Sequence, residues 1–331
     1  MGNIFSSILS EDLPNLISLV RTDITLRDLI KLNNMEESKV DSLIELIQTR
    51  VDCISKDIVV MRKIHNEIKE KILRTGMYWF KKQTGNDAKR LLDIAVGKGG
   101  DLNKWVKLKL EYVYGFDINP LSIEEAKRRF NTLKHNPNNM EAVFRSCQNL
   151  GWTKDSFRHN LMESSTKAVD MYSFDIVSCQ FALHYFVDTD EKINKLFSFI
   201  DVYLKPGGCF VGTTLSNKKL ALLMGDKKSF RNNYFSIDNY NKKSYSIHIN
   251  GTDYYETKGA KTKEYIVDLD KLNTIAKRYN MSLVPDATKF FETYQDIYNK
   301  EELLKRFGVS ELDRELLRCS YLNTTFVFIK K

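Results

Sequence analysis

No run of about 18 apolar residues occurs in the sequence, so no segment reads as a helix that crosses a bilayer. A basic stretch leading into an apolar one is missing at the N-terminus, so no secretory signal is expected. Cysteine is scarce and scattered: Cys53, Cys147, Cys179, Cys209 and Cys319 form no CxxC pair and no cluster with histidine. Nothing in that spacing suggests a zinc site, and reduced thiols in an intracellular compartment are expected. Internal repeats and low-complexity blocks are absent too, which excludes a solenoid.

What is present fits a folded chain. Of 331 residues 42% are hydrophobic, with 16 tyrosines and 19 phenylalanines. That is material for one large core, or for an ordinary domain with an extension. The net charge of +8 is a diffuse lysine excess, which suits a polyanionic partner and equally a solvated surface. Met1-Gly2-Asn3-Ile4-Phe5-Ser6 has the form of a myristoylation signal. No polybasic cluster follows closely to add a second anchor, and a chance start reads the same way.

Residues 1–85 read as helical. Val40, Leu43, Ile44 and Ile47 recur on one helical face, and a similar pattern runs from Ile58 to Ile72. Asp23, Thr25 and Ser38 are N-cap candidates, and Gly76 and Gly85 punctuate the end of the region. From Arg90 the pattern alternates between strand and helix. Strands are expected over Leu91–Ile94, Tyr112–Asp117, Glu141–Cys147, Ser173–Gln180, Cys209–Thr214 and Tyr321–Ile329. Helices are expected over Ile123–Leu133 with Ser122 as cap, over Glu191–Leu204 stopped by a Lys205-Pro206-Gly207-Gly208 turn, and over Leu269–Tyr279 and Lys300–Arg318. Residues 216–265 read as a β-rich excursion. The alternation predicts a doubly wound α/β fold.

The chemistry starts at Asp93-Ile94-Ala95-Val96-Gly97-Lys98-Gly99-Gly100, a strand end followed by a glycine-rich turn and a helix. Glycines let backbone approach a ligand, and the helix start favours negative groups. A nicotinamide enzyme would carry GxGxxG here to cradle pyrophosphate. Instead Asp93 stands in the approach, where a carboxylate repels phosphate and suits a ligand with an amino group. Asp117, ending the next strand, is where an adenosine ribose is held by its hydroxyls. S-adenosylmethionine carries the amino group, the sulfonium and the ribose. The second chemical stretch is Ser178-Cys179-Gln180-Phe181-Ala182-Leu183-His184-Tyr185-Phe186. It leaves a strand at the ligand-binding edge of the sheet with groups able to stack on a flat heterocycle.

Together with the Gln180–Tyr185 block, Lys98-Gly99-Gly100-Asp101-Leu102 resembles the mRNA cap guanine-N7 methyltransferases. Gly115-Phe116-Asp117 with Ser122-Ile123, Lys205–Gly208, Lys263-Glu264-Tyr265-Ile266-Val267 and the tail from Tyr321 to Lys330 extend the match. Upstream, His65-Asn66-Glu67-Ile68-Lys69 is similar to the family's Asn-Asn-Phe-x-Lys segment. The lysine and asparagine richness resembles the versions in large cytoplasmic DNA viruses, where the domain is the C-terminal part of a longer capping enzyme.

The resemblance implies a class I (Rossmann-like) S-adenosylmethionine-dependent methyltransferase fold, with a seven-stranded mostly parallel sheet and helices on both faces. It implies a helical extension over residues 1–60, the methyltransferase domain over 61–331, and the 216–265 excursion near the cap site. Lys69, Asp93, Gly97, Asp117 and Gln180 would hold the cofactor, S-adenosylmethionine. Lys98 and Arg129 would meet the cap triphosphate, and Phe181, His184, Tyr185, Glu264 and Tyr321 would enclose the guanine. Capped RNA (GpppN-RNA) would be the substrate, with RNA triphosphatase and guanylyltransferase domains of the same enzyme as partners, in the cytoplasm, a viral factory or a virion. No metal and no proton-transfer residue is expected, because guanine N7 carries a free lone pair and the enzyme's part is alignment. Glu264 would read the donors of the guanine edge, and unread by the family pattern it is a surface carboxylate.

Some positions depart from the family. Ala95 replaces a usual glycine, Val96 a cysteine, and Lys263 a proline; the adenine contact falls somewhere in Ser146–Asn149. Two rival readings are a methyltransferase for a small molecule or another RNA position, and a non-catalytic stimulatory subunit of a capping complex.

Overall fold

The computed structural model describes residues 37–133, 139–147, 173–249, 262–285, 305 and 314–331. The expected caps Asp23 and Thr25, and most of the helix expected over residues 300–318, lie outside them. Two compact units divide the chain. The larger takes described residues within His65–Leu223, Tyr265–Tyr298 and Tyr321–Lys331; the smaller takes those within Met1–Ile64, Met224–Glu264 and Asn299–Ser320.

The larger unit is built on a seven-stranded sheet in the order β10-β11-β5-β4-β1-β2-β3. The strands are β1 Arg90–Ile94, β2 Tyr112–Asp117, β3 Glu141–Ser146, β4 Phe174–Gln180, β5 Leu204–Leu215, β10 Met281–Leu283 and β11 Asn323–Lys330. Strands β5, β4, β1, β2 and β3 run parallel, while β11 is antiparallel to β5 and β10 to β11. Its inner strands are buried on both faces, so they read in sequence as continuous apolar runs.

Alternate residues feed two cores. Leu92, Ile94, Phe116, Val177, Phe210 and Phe328 pack with Leu196, Phe197 and Ile275 on one face. Leu91, Val113, Ile176, Val211 and Val327 pack on the other with Ile72, Leu73, Trp105 and Ile123. The first face is covered by α4 (Asp190–Tyr203) and α6 (Leu269–Ala276). The second is covered by the end of α1 (Glu37–Thr84), by α2 (Leu102–Lys107) and by α3 (Pro120–Asn131). No helix among the described residues is long and apolar enough to cross a membrane.

Several local expectations are corrected. Helix α1 is continuous, so Ser38 lies inside it rather than capping it, and Gly76 does not end it. Gly76 is there for closeness: a Cβ would stand 2.7 Å from Val211 Cγ1, so the helix can lie directly on the sheet. Gly85, at φ +76°, follows the last helical residue, and its N–H donates to Lys81 O at 2.8 Å. Asn119, not Ser122, caps α3, accepting from the Leu121 and Ser122 amides, because Pro120 occupies the first turn where no amide is needed. Helix α4 starts under a Thr189 cap and ends when Leu204 turns extended; Lys205–Gly208 is an irregular stretch inside β5. The excursion after residue 216 opens with a helix, α5 (Asn217–Met224), before any strand.

The smaller unit holds a four-stranded sheet in the order β6-β7-β8-β9, from Phe230–Arg231, Phe235–Asp238, Ser244–Ile249 and Thr262–Tyr265. Phe235, Ile237, Tyr245 and Ile247 are among its buried side chains. Residues 250–261 lie outside the described set. Helix α7, Arg314–Tyr321, precedes β11 in the chain.

Candidate active site

Strand β1 stops at Ile94 and the backbone reverses through three left-handed residues, Ala95 (φ 59°), Gly97 (φ 54°) and Gly99 (φ 70°). Glycine takes this conformation without cost, whereas Ala95 takes it with a Cβ in place. The loop is tied to the end of β2. The Val96 amide donates to Phe116 O at 3.0 Å, and the Gly97 amide to Asp117 Oδ2 at 2.8 Å. Asp117 Oδ1 accepts from the Asn119 amide at 2.9 Å, so backbone fixes both carboxylate oxygens.

Asp93 shares the parity of Leu91 and faces the side of the sheet covered by α1 and α2. It is buried, and that burial followed by the nearby Asp101 charge push its carboxyl well above the usual range. A hydrogen bond from Ser178 and the charge of Lys69 oppose that shift incompletely. Below it sits an ionic cluster: Asp101 lies 2.7 Å from Lys69 Nζ and 2.7 Å from Lys104 Nζ. Lys104 also donates to Asn66 Oδ1 at 2.8 Å and to Gly100 O at 3.2 Å, which ties helix α1 to the loop. Burial opposes the Asp101 charge, but the two ammoniums overcome it and hold its pKa below the ordinary value.

Strand β4 delivers the second group. Gln180 Nε2 donates to Ser178 Oγ at 3.2 Å, and Thr213 Oγ1 donates to Gln180 Oε1 at 3.1 Å. The Phe181 amide donates to Thr213 O at 2.9 Å and lies 3.0 Å from Thr213 Oγ1. A polar relay therefore runs from Phe181 through Thr213, Gln180 and Ser178 to Asp93. Phe181 adopts φ 55°, which turns its ring out of the strand direction onto His65, with 5.1 Å between centroids and 28° between planes. Burial, then the Lys69 charge, lower the His65 pKa to about 3, so the ring is neutral. His184 and Tyr185 follow in a short 3-10 turn, Leu183–Phe186, their rings 4.0 Å apart. His184 is buried and Tyr185 is 44% exposed.

Lys98 is exposed on the loop, and Arg129 is exposed on α3 with Nε 2.7 Å from Glu125. Arg129, Gly99 and Gly100 border one hollow of about 440 Å³. Tyr321, expected to open the last strand, is instead the final residue of α7 and is half-buried. In the smaller unit Glu264 is 4% exposed and accepts from Tyr245 Oη at 2.7 Å, which removes the surface-carboxylate alternative.

Four residues of this arrangement, Asp101, Lys104, His65 and Ile118, have no role that the sequence alone suggests. Asp101 follows the glycines with no chemical pattern of its own, and Lys104 has the spacing of an ordinary helix-surface lysine. His65 carried no chemical signal of its own. Ile118, directly after Asp117, is 58% exposed, an apolar side chain beside a carboxylate. Of the range expected to hold the adenine contact, Ser146–Asn149, residues 148 and 149 lie outside the described set, and Ser146, in register with Asp117 on β3, has a buried hydroxyl without a hydrogen-bond partner among the described residues. An amino group suits Asp93, a ribose suits Asp117, and a flat base with polar edges suits Ile118 and Ser146. The donor set fits a nucleoside that carries a cationic amino acid.

A family profile described as the mRNA (guanine-N(7))-methyltransferase domain matches residues 42–320, most of the chain. The chain belongs to that family. The Candida albicans mRNA cap guanine-N(7) methyltransferase is 28% identical over 291 residues, covering 80% of this chain and 58% of that protein. The Arabidopsis thaliana mRNA cap guanine-N(7) methyltransferase 1 is 27% identical over 303 residues, covering 86% and 78%. The Schizosaccharomyces pombe enzyme is 26% identical over 259 residues, covering 76% and 66%. The chain thus spans 58% and 66% of the two fungal proteins' own length. As a member of this guanine-N7 methyltransferase family, it carries Asp93, the glycine loop and Asp117 at one sheet edge, with the Gln180–Tyr185 block leaving the neighbouring strand.

Proposed function

We propose that this chain methylates mRNA caps, transferring a methyl group from S-adenosylmethionine to guanine N7 of GpppN-RNA by in-line displacement without a general base. One observation carries the reading: in a chain of this family, a buried Asp93 and a backbone-fixed Asp117 flank the glycine loop. Bound S-adenosylmethionine supplies a methyl group on positively charged sulfur. Asp93 holds its amino group, since an ammonium beside this carboxylate offsets the burial that now disfavours the charge. Asp117 holds the ribose hydroxyls, and Ile118 and Ser146 take the adenine. Gly97 keeps the loop backbone close, Lys69 anchors it from α1 through Asp101, and Gln180 braces Ser178 behind Asp93.

Lys98 and Arg129 neutralise the cap triphosphate. Phe181, His184 and Tyr185 present aromatic faces, and Tyr321 adds another. Glu264 accepts from the donors of the guanine edge, with Tyr245 orienting its carboxylate. A purine donor left buried and unread costs about 1–3 kcal/mol, which sets the scale of discrimination. Guanine N7 has no proton to lose, so alignment is the whole contribution of these groups. The RNA arrives already capped, and we assign that step to triphosphatase and guanylyltransferase domains of the same capping enzyme.

The test is transfer of labelled methyl to GpppG-capped RNA, uncapped RNA and free metabolites. Capped RNA alone is expected to accept it, at N7. Lys98→Ala and Glu264→Ala are expected to abolish transfer, with Glu264→Ala still binding S-adenosylhomocysteine by calorimetry. No binding of S-adenosylhomocysteine at millimolar concentration would overturn the enzyme reading and leave a stimulatory subunit. Transfer to a metabolite instead would leave another methyltransferase.

A further inference from the structure

We infer that the hollow between the glycine loop and the end of α3 takes the RNA strand that follows the cap, an inference that rests on capped RNA being the substrate. The hollow has a volume of about 440 Å³ and is bordered by Gly99 and Gly100 of the loop, Asn103 of α2, and Arg129, Thr132 and Leu133 at the end of α3. That volume is in the range of small-ligand pockets.

Its chemistry matches a ribose-phosphate chain. No aspartate or glutamate is among its described lining residues, and Arg129 is. Glu125 serves both Arg128 and Arg129 at 2.7 Å, so two guanidiniums share one carboxylate and the pair keeps a net positive charge. Exposed Lys98 adds another cation immediately before Gly99. Asn103 and Thr132 are both exposed; the Asn103 amide can donate or accept, the Thr132 oxygen, whose proton goes to the Arg128 carbonyl at 3.0 Å, can accept from a sugar hydroxyl, and Leu133 offers apolar surface to a base.

Direction follows from the order of these residues. Of the two cations assigned to the triphosphate, Arg129 lines the hollow and Lys98 directly precedes its lining residue Gly99. A strand continuing from the last phosphate meets Asn103 and Thr132 next. The loop thus separates the cofactor side, at Gly97 and Asp117, from the RNA side, at Gly99 and Gly100.

The experiment compares a GpppG-capped ten-nucleotide RNA with GTP, which carries the cap guanosine and triphosphate and nothing beyond. Binding of each is measured by fluorescence anisotropy or competition, with methyl transfer recorded in parallel. Thr132→Asp and Asn103→Asp are expected to weaken the capped RNA about 5–10-fold, and Thr132→Lys to tighten it, with GTP unchanged throughout. The added lysine should steepen the log–log salt dependence by about 0.7. Opposite signs from Asp and Lys at one exposed position cannot come from misfolding, and melting curves check the rest. Equal affinities of wild type for RNA and GTP, after allowing for the extra charge by the salt slope, would overturn the inference. So would variants that shift both ligands alike. Length-dependent binding without methyl transfer would instead remove the methylation reading and leave the hollow as an RNA site.

Discussion

The His65 imidazole backs the Phe181 ring at 5.1 Å, and Phe181 holds a left-handed backbone at φ 55°. A ring in that conformation stays in place only if its surroundings hold it there. His65→Ala should therefore raise the KM for capped RNA several-fold with little change in kcat, while His65→Phe restores most of it by stacking alone. The same residue sets an acid sensitivity. Its pKa is ordinarily 6.5 and falls to about 3 in the folded chain, so the unfolded chain binds the extra proton. Stability from this site is complete above pH 6.5 and declines as pH falls from 6.5 toward 3, by at most about 1.4 kcal/mol per pH unit. Urea unfolding of His65→Phe between pH 7 and 5 should show a flatter decline; an identical slope would remove the assignment.

Thr213 joins the two halves of the site. Its hydroxyl lies 3.0 Å from the Phe181 amide nitrogen and donates to Gln180 Oε1 at 3.1 Å. Thr213→Val keeps the shape and deletes the hydroxyl, leaving the buried end of the relay short of one partner at a cost of about 1–3 kcal/mol. Both S-adenosylhomocysteine affinity and the KM for capped RNA should worsen, and Thr213→Ser should restore both. Isothermal calorimetry and steady-state kinetics on the two variants decide it. An effect confined to melting temperature would make Thr213 structural only.

Asp93 is where binding and stability pull apart. Burial, then Asp101, raise its pKa well above the ordinary 3.8, so the folded chain holds the proton more tightly than the unfolded one. Its contribution to stability is present at low pH and is lost as pH rises through the folded value. Asp93→Asn removes the ionisable group in nearly the same volume. It should melt above the wild type at pH 8, with the difference shrinking toward pH 5. Cofactor affinity should fall roughly 10–100-fold, the scale of a hydrogen bond to a charged group. A variant that melts lower at pH 8 and binds normally would refute both statements.

The readable parts of the fold share one physical origin. Strands β1, β2 and β4 announce themselves because parallel strands buried on both faces need largely apolar runs, each with a polar residue, Asp93, Asp117 or Gln180, at or next to its end on the ligand edge. Asp93, Gly97 and Asp117 were legible for the same reason, as breaks in those runs. The rest depends on contacts between distant segments. Gly76 reads as a helix end until Val211 lies against it. The role of Ser122 as a cap yields to Asn119 because Pro120 sets the helix start. Lys104 shows its value only when Asn66 and Asp101 arrive, 38 residues away and three residues away respectively. Glu264 looked like a surface acid until Tyr245 and the smaller sheet covered it.

Ala95 stands at φ 59° where the family usually carries glycine, and the structure explains why glycine fits. A Cβ in the left-handed region meets the following carbonyl, a strain of about 1–2 kcal/mol. Ala95→Gly relieves it, offset in part by roughly 0.5–1 kcal/mol of added freedom in the unfolded chain. The variant should therefore gain a few tenths to about 1 kcal/mol in chemical denaturation. Binding should respond in the same direction, because the Val96 and Gly97 amides that follow Ala95 are bonded to Phe116 O and Asp117 Oδ2. A loop that no longer opposes that geometry holds Asp117 at a lower cost. Ala95→Val should move the other way on both counts, since a β-branched side chain tolerates positive φ less than alanine does. Denaturation midpoints and calorimetry with S-adenosylhomocysteine across the Gly, Ala and Val series give the order directly. An alanine protein more stable than the glycine one would show that the strain at position 95 is not stored in its backbone.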